Sequence, residues 1–303
     1  MAPVVGAYEV VRDGELLSAV FEGQSLASLL RSDWRLFTHP NMDDTRANEL
    51  LSAVLGDAYT KTDKYIPMPR FATDTLERWE ALRNELMYES RYFPERELDA
   101  TRWEDLLQHL ESDSSELPDA WYRARMMTDD ELFPIGQMGA PPNRTASHGR
   151  ANPPGIACLY LGSHAETAIA EIRPHTGEFA CVADFAVPND TALVDLRDPR
   201  RLVSPFLLGD EEAIGTLRSD VTFLERLGEE LTRPVQPQGA PIDYVPSQYL
   251  CEFIKKLGYQ GVLYRSSVSD GMNLALFDTQ RATGGGVQKF AVTKVSVTVE
   301  VRP

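Results

Sequence analysis

Leu159-Tyr-Leu-Gly-Ser-His-Ala-Glu-Thr-Ala-Ile-Ala-Glu-Ile-Arg-Pro174 is the stretch on which the fold class turns. The apolar Leu159-Tyr-Leu run is a short strand that ends at Gly162. Ser163 then stands as a helix cap, with Glu166 three residues on to complete a capping box. Pro174 stops the helix, which puts Glu171 in its last turn, facing the negative end of the helix dipole. Such a carboxylate costs a few tenths of a kcal/mol unless Arg173 or a ligand offsets it. Glu166 thus has a structural task as a cap partner and Glu171 has none, so a local conflict marks Glu171 as a functional candidate.

Working outward, short apolar runs are separated by Gly, Pro, Asn and Asp. Strands are expected at 120–126, 156–161, 179–186, 191–195, 261–267, 274–277 and 289–301. The last alternates Val295, Val297, Val299 and Val301 against Ser296, Thr298, Glu300 and Arg302, as a half-buried strand does. Asp270-Gly271 suits a two-residue turn that makes its flanking strands antiparallel neighbours. Residues 246–257 read as an amphipathic helix stopped by Gly258, and 210–233 as a further helix. Gly284-Gly-Gly286 reads as a flexible loop leading into a strand. Many strands with few helices between them indicate α+β, and no G-x-G-x-x-G joins a strand to a helix, which argues against a Rossmann site.

Before residue 118 the pattern is helical. Residues 25–36, 44–55, 73–88 and 101–110 carry apolar side chains at helical intervals. Asp74-Thr-Leu-Glu77 and Thr101-Arg-Trp-Glu104 have the form of capping boxes. The polar stretch Ser112-Asp-Ser-Ser-Glu-Leu-Pro118 is a domain joint. The expected organisation is a helical accessory domain over 1–117 and a mixed β-sheet domain over 118–303.

The 303 residues carry a net charge of −16 with no Lys/Arg-rich run, so nucleic acid is a poor partner. No apolar run reaches the roughly 20 residues of a membrane span, and no secretory signal opens the chain. Cys158, Cys181 and Cys251 sit in apolar runs without ligand spacing and read as buried free thiols of a reducing cytosol. The five histidines are scattered, so no metal site is expected. A locally basic pocket for a small anion remains compatible with this charge balance.

Two segments supply such basic groups. Trp121-Tyr-Arg-Ala-Arg125 places Arg123 and Arg125 on one strand face, either as a solvated edge or as a phosphate clamp. Gly149-Arg-Ala-Asn-Pro-Pro-Gly155 is a rigid loop that presents Arg150 and Asn152 beside a strand. No G-x-S-x-G elbow exists, which sets a serine hydrolase aside.

Taken in order, Tyr122-Arg-Ala-Arg125, Gly149–Ile156, Leu159-Tyr-Leu161, Glu166-Thr-Ala-Ile-Ala-Glu171, Gln248 with Ile254, Gly258–Ser267 and Asn273-Leu-Ala-Leu-Phe277 resemble the RES domain. That family is named for its Arg, Glu and Ser and typifies the toxin of bacterial RES–Xre toxin–antitoxin pairs. The resemblance covers the last three-fifths of the chain, and the helical half is similar to the extension of longer RES proteins.

The resemblance implies an ADP-ribosyltransferase-like fold and an enzyme that degrades NAD⁺ as a substrate, with no prosthetic group. By position it assigns Arg123 and Glu171 to catalysis, with the family serine on Ser266 or Ser267. It assigns Arg123, Arg150, Asn152 and Tyr264 to substrate binding. Ala151 departs from the aromatic residue usual after the loop arginine, a space open to Tyr122, Tyr160 or Tyr264. The implied acceptor is water or inorganic phosphate, and the implied partner is an Xre-like antitoxin. Two alternatives share the same pattern. One is a mono-ADP-ribosyltransferase using 205–241 for acceptor recognition; the other is a catalytically inactive binding module.

Overall fold

The computed structural model describes residues 1–11, 23–56, 59–236, 238–296 and 299. They form two compact units. One comprises Met1–Leu82, Arg96–His109 and Asp198–Arg226; the other comprises Arg83–Glu95, Leu110–Arg197 and Leu227–Pro303. The units therefore do not follow a single cut after residue 117: Asp198–Arg226 clusters with the amino-terminal helices, and the 112–118 joint lies inside the second unit.

The first unit is mainly helical, with one small antiparallel pair of β1 (Tyr8–Val10) and β2 (Tyr65–Pro67). Helix α1 (Leu26–Trp34) starts where the Ser25 side chain accepts the Ser28 N–H, and ends as Arg35 turns left-handed. Helix α2 (Asp44–Leu55) is capped by Asp43, and α3 (Thr75–Tyr88) follows. Helix α4 (Ala100–Gln108) is capped by Asp99, whose carboxylate accepts the Arg102 N–H. Thr101 consequently lies within the first turn, and the capping box expected at Thr101 and Glu104 is displaced by the earlier, charged acceptor. Trp79, Trp103 and Phe223 stack as tilted rings with centroids 5.5 and 4.8 Å apart.

The second unit is built on a seven-stranded mixed sheet, and the chain is α+β as expected. Its strands are β3 (Trp121–Met126), β4 (Leu159–Gly162), β5 (Phe179–Ala186), β6 (Leu193–Asp195), β7 (Gly261–Arg265), β8 (Met272–Leu276) and β9 (Thr283–Ala291). Their order is β6-β7-β8-β4-β3-β5-β9, antiparallel except for β6 beside β7. Leu159, Leu161, Leu263, Leu274, Trp121 and Phe185 fill one face. On the other, Ala124, Ala180 and Val182 receive α5 (Ala165–Glu171) through Ala168 and Ile169, with Ile172 just past its end. Two longer helices complete the set, α6 (Glu211–Thr232), which enters this unit at Leu227, and α7 (Val245–Lys256). Among the described residues no helix is long and apolar enough to cross a membrane.

Several local expectations are corrected. Gly284-Gly-Gly286 is strand, not loop. The Gly286 N–H donates to Asp184 Oδ1 at 2.8 Å, a Cβ on Gly285 would collide with the Asp184 carboxylate, and one on Gly284 would lie 2.6 Å from Ile135. The three glycines serve close approach rather than flexibility. The last strand ends at Ala291; Val295 and Val299 are exposed, and Val297 and Val301 lie outside the described residues. β7 and β8 are antiparallel neighbours as expected, but Arg265 pairs with Met272, so the connection is the six-residue loop 266–271. The Ser266 hydroxyl accepts the N–H groups of Val268 and Ser269 and so stabilises this wider turn. Ser163 does not cap α5. Its Oγ accepts the Met272 N–H at 3.1 Å and meets His164 Nδ1 at 2.8 Å, leaving Glu166 exposed without a capping box.

Candidate active site

The sheet has a seam. Most neighbouring strands share ladders of three or more pairs, but β3 and β4 share the single pair Tyr122–Gly162. Beyond it the strands part, and a cavity of about 300 Å³ opens between them. Arg123 stands one residue past that last pair and lines the cavity. Arg150, Glu171, Tyr264 and Asn273 line it as well.

Glu171 is the last residue of α5, and Arg173 just beyond it adopts a left-handed φ of 49° before Pro174. No cation among the described residues pairs with Glu171. Its Oε1 instead accepts the Ser266 hydroxyl at 2.7 Å and the Asn273 side-chain amide at 2.6 Å. Both bonds fall on one oxygen, so the carboxylate is oriented while Oε2 has no partner among the described residues. The two serines are separated by this geometry: Ser266 holds Glu171, and Ser267 lies 3.4 Å from Arg150 Nη2. Ser266 gives its single proton to Glu171 and accepts two backbone N–H groups, which uses all three of its hydrogen-bonding positions. Its hydrogen bonds are thus spent on orienting Glu171 and closing its own loop.

The two strand arginines also part. Arg125 turns away, donating to the Gln137 carbonyl at 2.7 Å and lying 4.2 Å over the Phe133 ring. Arg123 has no such engagement, and its Nη1 is buried without a hydrogen-bond partner. Burial, then the neighbouring Arg125 charge, pulls its pKa below the usual arginine value. A guanidinium never loses its proton in practice, so the fold holds a buried cation open toward the cavity.

Arg150 is positioned more fully. Its Nη1 donates to the Arg233 carbonyl at 2.7 Å, just past the end of α6, and its guanidinium lies 5.4 Å from the Tyr244 ring centre. The first turn of α7 grips the backbone around it: Ser247 Oγ donates to the Arg150 carbonyl at 2.6 Å and Gln248 to that of Gly149 at 2.8 Å.

Asn152 is not brought to the cavity. Its amide donates to the carbonyls of Ser147, Pro153 and Ile156, and its Oδ1 accepts the Tyr160 hydroxyl at 2.6 Å, so it knits the loop together. Ala151 is 4% exposed and lines a separate cavity of about 20 Å³ beside Cys158, Cys251 and Lys255. The missing aromatic at 151 therefore leaves no gap in the main cavity. Tyr160, whose hydroxyl accepts the Ala151 N–H at 2.9 Å, occupies the space beneath the loop, where any side chain on Gly149 would meet it. Burial raises the Tyr160 phenol well above its ordinary pKa. The Tyr264 phenol is raised first by burial and then by the Glu171 charge, which keeps it a neutral donor beside the carboxylate.

Asn273 is the residue that reading the sequence left without a role, although it falls in the Asn-Leu-Ala-Leu-Phe pattern. A polar residue at the head of the apolar run 274–277 was the available signal, and the structure buries it to 4% exposure. Tyr244 and His148 complete the rim. Within the segment 205–241, the helix expected over 210–233 is α6.

The arrangement sets an oriented carboxylate and a buried, unsatisfied cation in one cavity, suited to an anionic substrate on which positive charge develops. No curated protein matches the sequence. A solved structure described as the crystal structure of the M. tuberculosis MbcT–MbcA toxin–antitoxin complex is similar at a TM-score of 0.35 and 17% identity, over 61% of this chain and 92% of the matched one. The sequence profile of the RES domain matches residues 120–298, which take in Arg123, Arg150, Glu171, Ser266 and Asn273. With more than half of its length in that match, the chain belongs to the RES-domain family.

Proposed function

We propose that this protein cleaves the nicotinamide–ribose bond of NAD⁺, with water or inorganic phosphate as acceptor, and that it acts as the toxin of a toxin–antitoxin or defence system. The observation that carries the reading is the buried Nη1 of Arg123, a cation without a partner in the same cavity as Glu171. A pyrophosphate supplies the charge and oxygens that this guanidinium lacks. Arg150 adds a second cation from the opposite loop, so the dinucleotide is held by its centre and its nicotinamide ribose meets Glu171.

Breaking the glycosidic bond sends its electron pair to nicotinamide, which leaves neutral, and builds positive charge on the ribose ring. Glu171 stabilises that charge, and its Oε2 accepts a ribose hydroxyl while Ser266 and Asn273 keep Oε1 in place. Water adding at the ribose carbon yields ADP-ribose and a proton; phosphate yields the ADP-ribose phosphate ester. The toxin role follows from the family and from the consequence of draining NAD⁺, and it implies an Xre-like antitoxin that restrains the enzyme.

Purified protein given NAD⁺ is expected to release nicotinamide, and Glu171→Gln to lower turnover by roughly 10²–10³-fold with folding intact. Full turnover in that variant would remove Glu171 from the mechanism. Product masses with and without phosphate separate the two acceptors, and ADP-ribose found on protein would redirect the reading to a transferase.

A further inference from the structure

We propose that Thr167 and Ser269 are positioning residues, a hydroxyl pair that latches the loop 266–271 onto α5 and thereby sets the geometry of Ser266 and Glu171. Thr167 precedes Glu171 by four residues, so both side chains project from the same face of α5 one turn apart. Both reach the same loop. Ser269 Oγ donates to Thr167 Oγ1 at 3.0 Å, and Ser266 Oγ donates to Glu171 Oε1 at 2.7 Å. Ser269 Oγ in turn accepts the Gly271 N–H at 3.2 Å, while Ser266 Oγ accepts the N–H groups of Val268 and Ser269 at 3.2 and 3.1 Å. The loop is thus internally tied and pinned to one helix at two points.

The loop's own apolar residue does not anchor it, since Val268 is 42% exposed. Thr167 is 2% exposed, and a buried hydroxyl is kept there only if it is bonded. Its two branches are assigned separately. The methyl lies toward Gly162 at the end of β4, and the hydroxyl lies so close to Gly271 that any side chain on that glycine would overlap it. The glycine before β8 is therefore a requirement of the latch. Without the Thr167–Ser269 bond, the loop keeps only the Ser266–Glu171 bond to α5, beside the long Ser267–Arg150 contact, and the carboxylate is held less firmly.

The catalytic half of the test rests on the NAD⁺-cleaving reading; a second half does not. Thr167→Val keeps the methyl and shape but not the hydroxyl, Thr167→Ser keeps the hydroxyl, and Ser269→Ala removes the partner from a half-buried loop position. Nicotinamide release is expected to fall in kcat by roughly 10- to 100-fold in Thr167→Val and Ser269→Ala, with KM for NAD⁺ within about two-fold and Thr167→Ser close to wild type. Amide hydrogen exchange at Val268 and Ser269 is expected to speed up by about five-fold in the same two variants. Unchanged exchange in both overturns the latch, and does so even if the wild type releases no nicotinamide, a result that would sink only the functional reading. Faster exchange with unchanged kcat, or equal losses in Thr167→Ser, overturns the positioning role. Should Thr167→Val fail to fold, Ser269→Ala alone decides between these outcomes.

Discussion

Asp220 in the helical unit and Arg123 in the sheet unit are charges drawn out of water, and their surroundings differ. In the first, Asp220 has no exposed surface and is bonded by the Arg102 guanidinium and by the Thr73 hydroxyl at 2.6 Å. In the second, Arg123 is half-buried, and its buried Nη1 meets no hydrogen-bond partner. A buried charge with its partner supplied from the same unit is framework: its desolvation is offset inside the fold. A buried guanidinium nitrogen without one, on the wall of a cavity, is a cost that a ligand in that cavity would relieve. Burial of charge thus reads as framework at Asp220, and equally at Glu230 of the sheet unit, which Arg83 holds at 2.7 Å; at Arg123, on a cavity wall, it reads as a binding feature.

Mutations should pull the two apart. Asp220→Ala leaves Arg102 half of a broken pair, and unfolding free energy should drop by roughly 3–5 kcal/mol while KM for NAD⁺ stays unchanged. Chemical denaturation alongside nicotinamide-release kinetics would show whether that separation holds. Arg123→Met should do the reverse. Turnover falls by roughly 10²–10³-fold, and stability is unchanged or higher, because a buried unpaired cation has been replaced by an apolar chain of similar length. A matching loss of stability would mean that Arg123 belongs to the framework after all.

Tyr160→Phe lies between the extremes, since it strands the Ala151 N–H and the Asn152 Oδ1 beneath the loop. A loss of about 1–3 kcal/mol is expected, with a smaller effect on turnover than Arg123→Met. The smallest effect concerns the thiols. Burial pushes Cys158 up to about 12, so iodoacetamide at pH 8 should label it only after unfolding. A thiol whose pKa is raised by folding stabilises the fold fully below its unfolded value, and the contribution fades as pH climbs toward about 12. Melting temperature should accordingly decline above about pH 9.

Where local chemistry fixes local structure, the sequence was legible. Phe179–Ala186 and Asp44–Leu55 form the strand and helix expected at those positions, because a short apolar run bounded by turn residues and apolar residues at helical intervals are short-range signals. Legibility failed where a distant partner decides. Ser163 looks like a cap, but the Met272 N–H, 109 residues away, takes its oxygen. Gly284–Gly286 look mobile, but Asp184 needs their bare backbone. The candidate site follows the same division. Glu171 was visible from its awkward place at a helix end. That Ser266 rather than Ser267 holds it, that Asn273 joins from 102 residues away, and that Asn152 spends its amide inside its own loop depend on contacts no local pattern encodes.

The single pair joining β3 to β4 has a consequence for how the sheet unit holds together. A ladder of backbone bonds normally transmits order from strand to strand. Here the strands β6-β7-β8-β4 and β3-β5-β9 are two leaves that meet at one rung, so their cooperation must pass through side chains. α5 packs on β3, β4 and β5, lying across the seam like a splint, while the leucines of the opposite face close it from behind. The helix that carries Glu171 is therefore also what keeps the two leaves in register, and a change that loosens α5 would widen the seam and misplace the carboxylate together.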